Sequence, residues 1–101
     1  MPEKSKAILS LGSQTPGFPA ANKILADLIH QLRSSHAGDG QMISELSAGR
    51  EYIQAPKVRR DFIDELLVKP LTKLLSDAQS ERIRADANEY LNWLQQKLAN
   101  S

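Results

Sequence analysis

Histidine is the side chain most often used in metal and acid–base sites. This chain has two histidines, and their placement indicates neither role. His30 falls on the polar face of a predicted helix, and His36 falls in the loop that follows it. No acidic residue stands four positions from either histidine, so the two do not form a recognisable metal-ligand set. We therefore expect both to be surface histidines and predict no metal site.

A group of carboxylates stands on the third predicted helix, where a cleft could use a pair of them for acid–base catalysis. Asp61, Asp64 and Glu65 instead share the side of this helix that faces solvent. Glu65 also precedes Lys69 by four residues, the order in which an ion pair supports a helix. The chain contains no GxSxG nucleophile motif and no glycine-rich phosphate loop. The sequence therefore predicts a non-enzyme with no cofactor and no small-molecule substrate.

The densest basic cluster is Lys57, Arg59 and Arg60, at the start of the third predicted helix. Cations at a helix N-terminus oppose the helix dipole, at a cost of about half a kcal/mol. Such an unfavourable placement can indicate a surface that binds acidic groups. A solvated cluster beside Glu51 or Asp61 would also account for it. Both interpretations stay open, and Arg59 and Arg60 are candidate partner-binding residues.

Trp93 carries the strongest binding signal among the aromatic residues. It lies about 60° beyond the edge of the apolar stripe of the fourth predicted helix, beside Tyr90 and one turn before Lys97. Tryptophan is costly to leave in water and is enriched at binding hot spots. If Phe18 or another part of the N-terminal segment covers it, its role is structural instead. Both roles stay open, and Trp93, Tyr90 and Lys97 are predicted partner contacts.

Composition disfavours several classes of protein. Thirteen basic and twelve acidic side chains leave a net charge of +1, whereas a protein that binds nucleic-acid phosphates usually has a clear basic excess. The absence of cysteine excludes disulfides, thiolate metal sites and cysteine nucleophiles. No apolar run approaches the roughly 18 residues of a membrane span, and the apolar stretch near the start is too short for a signal peptide. We expect one intracellular domain.

Apolar periodicity predicts four amphipathic helices, at residues 19–34, 41–54, 58–75 and from 76 or 80 to about 99. The start of the fourth is open, because a capping box at Ser76 and a later cap at Ser80 both fit. The third should be central, since its apolar arc covers about half of the helix circumference. That arc consists of Phe62, Ile63, Leu66, Leu67, Pro70, Leu71 and Leu74. Short connections then predict an all-α, antiparallel four-helix bundle.

Pro70 and Gly49 are expected to shape two of these helices. Proline inside a helix removes one hydrogen bond and collides with the carbonyl four residues back, so we expect a kink near residues 66–69, or else two shorter helices. Gly49 lies on the apolar stripe of the second helix. Its cost in helix propensity, up to about 1 kcal/mol, would be offset if another helix packs closely against it.

Residues 1–19 are predicted to form an irregular segment before the bundle of residues 20–101. Glycines and prolines interrupt regular structure after residue 11. A strand at residues 7–11 would have nothing to pair with, so we expect this segment to lie across the bundle. Its expected anchors are Ile8, Leu11 and Phe18. A disordered leader is the alternative.

The order of these elements resembles the immunity proteins of pediocin-like bacteriocins, the enterocin A immunity family. The likeness rests on residues 22–28, 62–75, 76–84 and 90–94, and it covers residues 20–98 as a pattern of apolar positions. Its clearest part is the run Leu-Thr-Lys-Leu-Leu at residues 71–75. The resemblance implies a small cytoplasmic four-helix bundle that has no catalytic residue.

The same resemblance implies that the C-terminal half, from the third helix onward, selects the partner. That partner would be a bacteriocin together with its membrane receptor, a sugar-uptake permease. Peripheral association of this protein with the membrane is compatible with such a role. The bundle would engage the toxin-bound receptor from the cytoplasmic side and prevent pore opening. Two other functions stay open. One is a helical adaptor or secretion chaperone that binds a partner helix, and the other is nucleic-acid binding through Lys57, Arg59 and Arg60, which the charge balance disfavours.

Overall fold

The computed structural model describes residues 8–12, 15–35 and 40–99, and most of these residues are helical. Four helices lie within these ranges: α1 (Phe18–Ser35), α2 (Gly40–Tyr52), α3 (residues 60–77) and α4 (Glu81–Ala99). Strand β1 (Ile8–Leu9) precedes α1, and strand β2 (Val58–Arg59) lies between α2 and α3. The predicted all-α class is therefore confirmed, with a pair of very short strands added to it.

Helix α3 is continuous but changes its winding along its length. Arg60–Ile63 is α-helical, Asp64–Val68 is a π turn and Lys69–Asp77 is α-helical again. At the end of the π turn, the Lys69 N–H donates to the Asp64 carbonyl, five residues back. Pro70 has no N–H, and in a regular α-helix its ring would collide with the carbonyl of Leu66. The wider π turn directly before Pro70 accommodates it, so the alternative of two separate helices is wrong.

Each helix turns an apolar face to one shared core. The stripe predicted for α4 is buried in full: Ile83, Ala87, Tyr90, Leu91, Leu94 and Leu98. The stripes predicted for α1 (Ala21, Ile24, Leu25, Leu28, Ile29 and Leu32) and α2 (Met42, Ile43, Leu46, Gly49 and Ile53) are buried except for Ile24 and Ile43, which pack half-buried against the core. Helix α1 contacts α2 and α4, and α3 contacts the same two helices. No helix of the described residues is long and apolar enough to cross a membrane.

The arc predicted for α3 is only partly buried. Its buried members are Ile63, Leu67, Pro70, Leu71 and Leu74. Leu66 is half-buried, and Phe62 is 45% exposed. The prediction that Phe62 belongs to the core is therefore wrong. Phe62 lies at the edge of the predicted arc and in the first turn of α3, which begins at Arg60.

Gly49 lies where α2 packs against α3, as its place on the apolar stripe predicted. A β-carbon added to Gly49 would meet Leu67 Cδ2 at 2.6 Å and Leu66 Cβ at 3.1 Å. These distances are shorter than ordinary contacts between carbon atoms. Glycine is therefore needed for the two helices to approach this closely.

The N-terminal segment belongs to the core. Strand β1 pairs antiparallel with β2, with Leu9 opposite Val58, and both of these side chains are buried. Leu11 and Phe18 are buried too, so two of the expected anchors are confirmed. The expectation that a strand here would find no partner is wrong, because Val58–Arg59 is extended instead of opening the third helix. The side chain of Ile8, the third expected anchor, and residues 1–7 lie outside the described part of the chain.

The start of α4 is set by Ser80. The Ile83 N–H donates to Ser80 Oγ over 3.3 Å, which is the geometry of an N-terminal cap. Ser76 lies inside α3, so the capping box predicted there is wrong. The later of the two predicted starts is the one that forms.

Candidate functional site

An exposed aromatic ring with cations beside it stands at the junction of β2 and α3. We call Tyr52, Arg59, Arg60 and Phe62 the Phe62 patch. Pairing with β1 holds β2 in place, and the buried Val58 anchors it to the core. The Arg59 N–H donates to Tyr52 Oη over 2.8 Å, which fixes the end of α2 against the start of α3.

The Phe62 ring is held on two sides but open to solvent on the rest of its surface. The Arg59 guanidinium carbon lies 4.7 Å from the ring centroid, a cation–π distance. Tyr52 meets the same ring edge to face, with 5.7 Å between centroids. Among the described residues, Phe62 is the one large hydrophobic side chain classed as exposed.

Charged side chains of both signs stand near this ring along the chain. Arg59 forms an ion pair with Asp61, whose carboxylate oxygen lies 2.6 Å from the guanidinium, so its charge is partly balanced. Arg60 is half-buried at the first position of α3, and Lys57 is exposed just before β2. Exposed aromatic and arginine side chains are the types that contribute most at protein interfaces. The patch is thus suited to a partner with apolar and acidic groups.

Trp93 is fixed by the N-terminal segment. Its indole Nε1 donates to the Pro16 carbonyl over 2.9 Å, and its ring centroid lies 6.1 Å from that of Phe18. Gly17 has a φ of 80°, and a β-carbon there would come within 3.0 Å of Trp93 Nε1. Trp93 is therefore half-buried, and its contacts favour the structural role over the interface role. Partner contact by Trp93 stays a prediction.

Tyr90 is a core residue, which corrects its prediction as a partner contact. Its side chain is only 1% exposed, with its ring 5.6 Å from that of Trp93. Burial raises the pKa of the Tyr90 phenol far above its usual value, although the nearby charge of Arg50 opposes this shift. Tyr90 is packed inside because it lies on the stripe that α4 turns to the core.

The predicted site residues fall into two groups. Arg59 and Arg60 stand together at the β2–α3 junction, whereas Tyr90, Trp93 and the half-buried Lys97 lie on α4. None of the described hydrogen bonds, ion pairs and ring contacts joins Arg59 or Arg60 to Tyr90 or Trp93. The two groups therefore do not form a single site.

Two of the carboxylates weighed for catalysis are paired with basic side chains. Asp61 is paired with Arg59, and Glu65 accepts from Lys69 over 3.3 Å. His30 is exposed and lines a groove between α1 and α2, while His36 lies outside the described residues. Within the described ranges, no group of three or more potential ligands is placed to hold a metal ion.

Sequence reasoning missed Phe62 and Tyr52 as surface residues. Phe62 was assigned to the core because it fits the helical periodicity of α3. The sequence held a signal that could have corrected this: Phe62 stands at the edge of the apolar arc and directly after three charged residues, Arg59, Arg60 and Asp61. No comparable signal indicated that Tyr52 would approach Phe62.

Comparison with protein-family models, with curated proteins and with solved structures finds no match to this chain.

Proposed function

We propose that this chain acts by docking to a protein partner through the Phe62 patch, as an immunity protein for a pediocin-like bacteriocin. The observation that carries the docking proposal is the exposed Phe62 ring under the Arg59 guanidinium. The Phe62 ring is partly solvated and already has the Arg59 guanidinium over it. When a partner covers the ring, more of its apolar area is buried, and the cation–π contact is removed from water.

We propose further that the four helices form an antiparallel bundle. Two features support this arrangement. Each helix contacts the next one along the chain, and α4 returns to contact α1. The connections are also short, at most seven residues between α2 and α3, and short connections favour antiparallel neighbours.

The immunity role depends on the position of the patch along the chain. The resemblance assigns partner selection to the third and fourth helices, and the Phe62 patch stands at the start of α3. In this proposal a cytoplasmic bundle engages a bacteriocin bound to its permease receptor and blocks the pore. Lys97 and the exposed part of Trp93 would contribute a second contact from α4.

Expression in a strain sensitive to a pediocin-like bacteriocin tests the immunity role. The wild-type chain should raise the toxin concentration that the cells tolerate. Phe62→Ser and Arg59→Ser should each lower that protection by roughly tenfold, the loss expected when a hot-spot contact is removed. Phe62 is 45% exposed and lies outside the buried core, so its replacement should leave the fold intact, which circular dichroism would check.

Lys23→Ser is the matched control, because Lys23 is exposed on α1 and lies outside the half that the resemblance assigns to partner selection. It should protect as well as the wild type at equal protein level.

Unchanged toxin sensitivity with the wild-type chain would refute the immunity role. Protection by Phe62→Ser equal to that by the wild type would refute the patch as the contact surface. Co-purification of one soluble polypeptide without any protection would instead support the adaptor or chaperone function.

A further inference from the structure

A second surface feature lies on the other side of α2, in the groove that separates it from α1. The groove has a volume of about 250 Å³. Polar side chains from both helices form its walls: His30 and Arg33 from α1, and Ser47, Arg50 and Glu51 from α2. Ala26 and the buried Ile29 complete the lining.

Two arginines line this groove, and neither forms an ion pair within the part of the chain that the structure describes. Arg33 Nη2 donates to the neutral Ser47 Oγ over 3.1 Å. Neither Arg33 nor Arg50 forms an ion pair with any carboxylate of the described residues, although Glu51 lines the same groove. The ordinary arrangement, in which a guanidinium faces Asp or Glu, is therefore missing for both.

Arg50 also has an inner nitrogen without an acceptor. Its Nε is buried, and it makes no hydrogen bond. A buried guanidinium nitrogen without an acceptor is unfavourable. An anion in the groove would balance the charge of this guanidinium and accept from its outer nitrogens.

We propose that the groove between α1 and α2 binds a phosphate group through Arg33, Arg50 and Ser47. The flat, forked guanidinium presents paired N–H donors that match two oxygens of one phosphate. The Ser47 hydroxyl, which now accepts from Arg33, can donate to a third oxygen. A dianion fits this lining better than a large polyanion, because Glu51 limits the excess positive charge of the groove. Inorganic phosphate and the terminal phosphate of a monoester offer the same chemistry.

Nuclear magnetic resonance of the full-length chain at low ionic strength tests this site. The readout is the guanidinium Nε–H signals of Arg33 and Arg50, followed during titration with inorganic phosphate or phenyl phosphate, with chloride of equal ionic strength as the reference. Saturable shifts confined to these two arginines support the site. A tighter response to phenyl phosphate identifies a monoester as the ligand, and a tighter response to inorganic phosphate identifies the free ion. Shifts that rise without saturation, or that chloride reproduces, would overturn the proposal.

Arg50→Lys is the informative variant, since it keeps the positive charge but lacks the fork. It should weaken phosphate binding by roughly tenfold. Arg82→Lys makes the same change at an exposed arginine on α4 and should leave binding unchanged. If Arg50→Lys perturbs the fold, Arg33→Gln provides a second variant on the other wall. Phosphate affinity equal to that of the wild type in both groove variants would refute the site.

Discussion

The absence of a single methyl group at Gly49 lets two helices pack at close range. An alanine methyl at this position would need to occupy space filled by Leu67 Cδ2, 2.6 Å away, and it would also approach the β-carbon of Leu66. Leu67 is fully buried, so its side chain has little room to move. The contact was predictable from the sequence, because a glycine on an apolar helical stripe needs a packing reason to offset its poor propensity.

Gly49→Ala should therefore destabilise the protein even though alanine is the better helix former. Overpacking costs about 1–3 kcal/mol, and the gain in propensity returns up to about 1 kcal/mol. We expect a net loss of roughly 1–2 kcal/mol in the free energy of unfolding, measured by urea denaturation. Gly40→Ala is the matched control, because a β-carbon there meets no atom within 4 Å. A Gly49→Ala variant as stable as Gly40→Ala would contradict the close approach.

Other single residues could not be placed so well from the sequence. Tyr90 lies on the apolar stripe of α4, and its burial follows from that stripe, yet its hydroxyl made it a reasonable surface candidate. Trp93 lies just outside the stripe, where periodicity cannot say whether another segment covers it. Whether Trp93 is covered depends on Pro16 and Gly17, which are far from it in the chain but adjacent to it in space. Helical periodicity carries no information about such long-range contacts.

At the scale of elements, α3 shows how one proline alters the positions of residues before it. The sequence indicated that Pro70 must disturb the helix, but it could not tell a kink from a π turn. A π turn holds one more residue than an α turn, so the residues on its N-terminal side take a different rotation about the helix axis. Ile63 and Leu67 are buried, while Phe62, in the first turn of α3, is exposed. Regular helical periodicity therefore predicts the burial of Ile63 and Leu67 but not the exposure of Phe62.

The connection between α3 and α4 allows a direct test of how α4 begins. Ser80→Ala should lower the free energy of unfolding by about 0.5–2 kcal/mol, because it removes the side-chain oxygen that accepts from the Ile83 N–H. The measurement is thermal or urea unfolding followed by circular dichroism.

Ser76→Ala serves as the control, since Ser76 is exposed inside α3 and alanine is a better helix former there. It should be neutral or slightly stabilising. The opposite result, with Ser76→Ala more harmful than Ser80→Ala, would place the cap at the earlier serine.

At the scale of the whole molecule, the bundle is completed by a segment that does not belong to any of its helices. Leu9 and Leu11 are buried with the helical core, and Ser10 Oγ donates to the Pro56 carbonyl over 2.9 Å. The four helices could be predicted because each carries its own periodic signal. The pairing of β1 with β2 could not, because it joins two short stretches about 50 residues apart, and neither is long enough to show a strand pattern.

Leu11→Ala tests whether this segment contributes to the stability of the whole molecule. Leu11 is 2% exposed, so its truncation should cost about 2–5 kcal/mol, as for any core leucine. A leader that does not pack on the helices would give a change within about 0.5 kcal/mol. Leu66→Ala, at a half-buried position of α3, should cost less than Leu11→Ala. Unfolding in urea, followed by the helical signal, distinguishes these outcomes.

The hydrogen bond from Trp93 to Pro16 has a spectroscopic consequence. Trp93 is the sole tryptophan of the chain, so all indole fluorescence comes from the place where the N-terminal segment crosses α4. Any event that lifts this segment would break the bond from Nε1, hydrate the ring and shift its emission to longer wavelength. The protein therefore contains an intrinsic optical reporter for the seating of Pro16 against α4, one that requires neither a label nor a mutation.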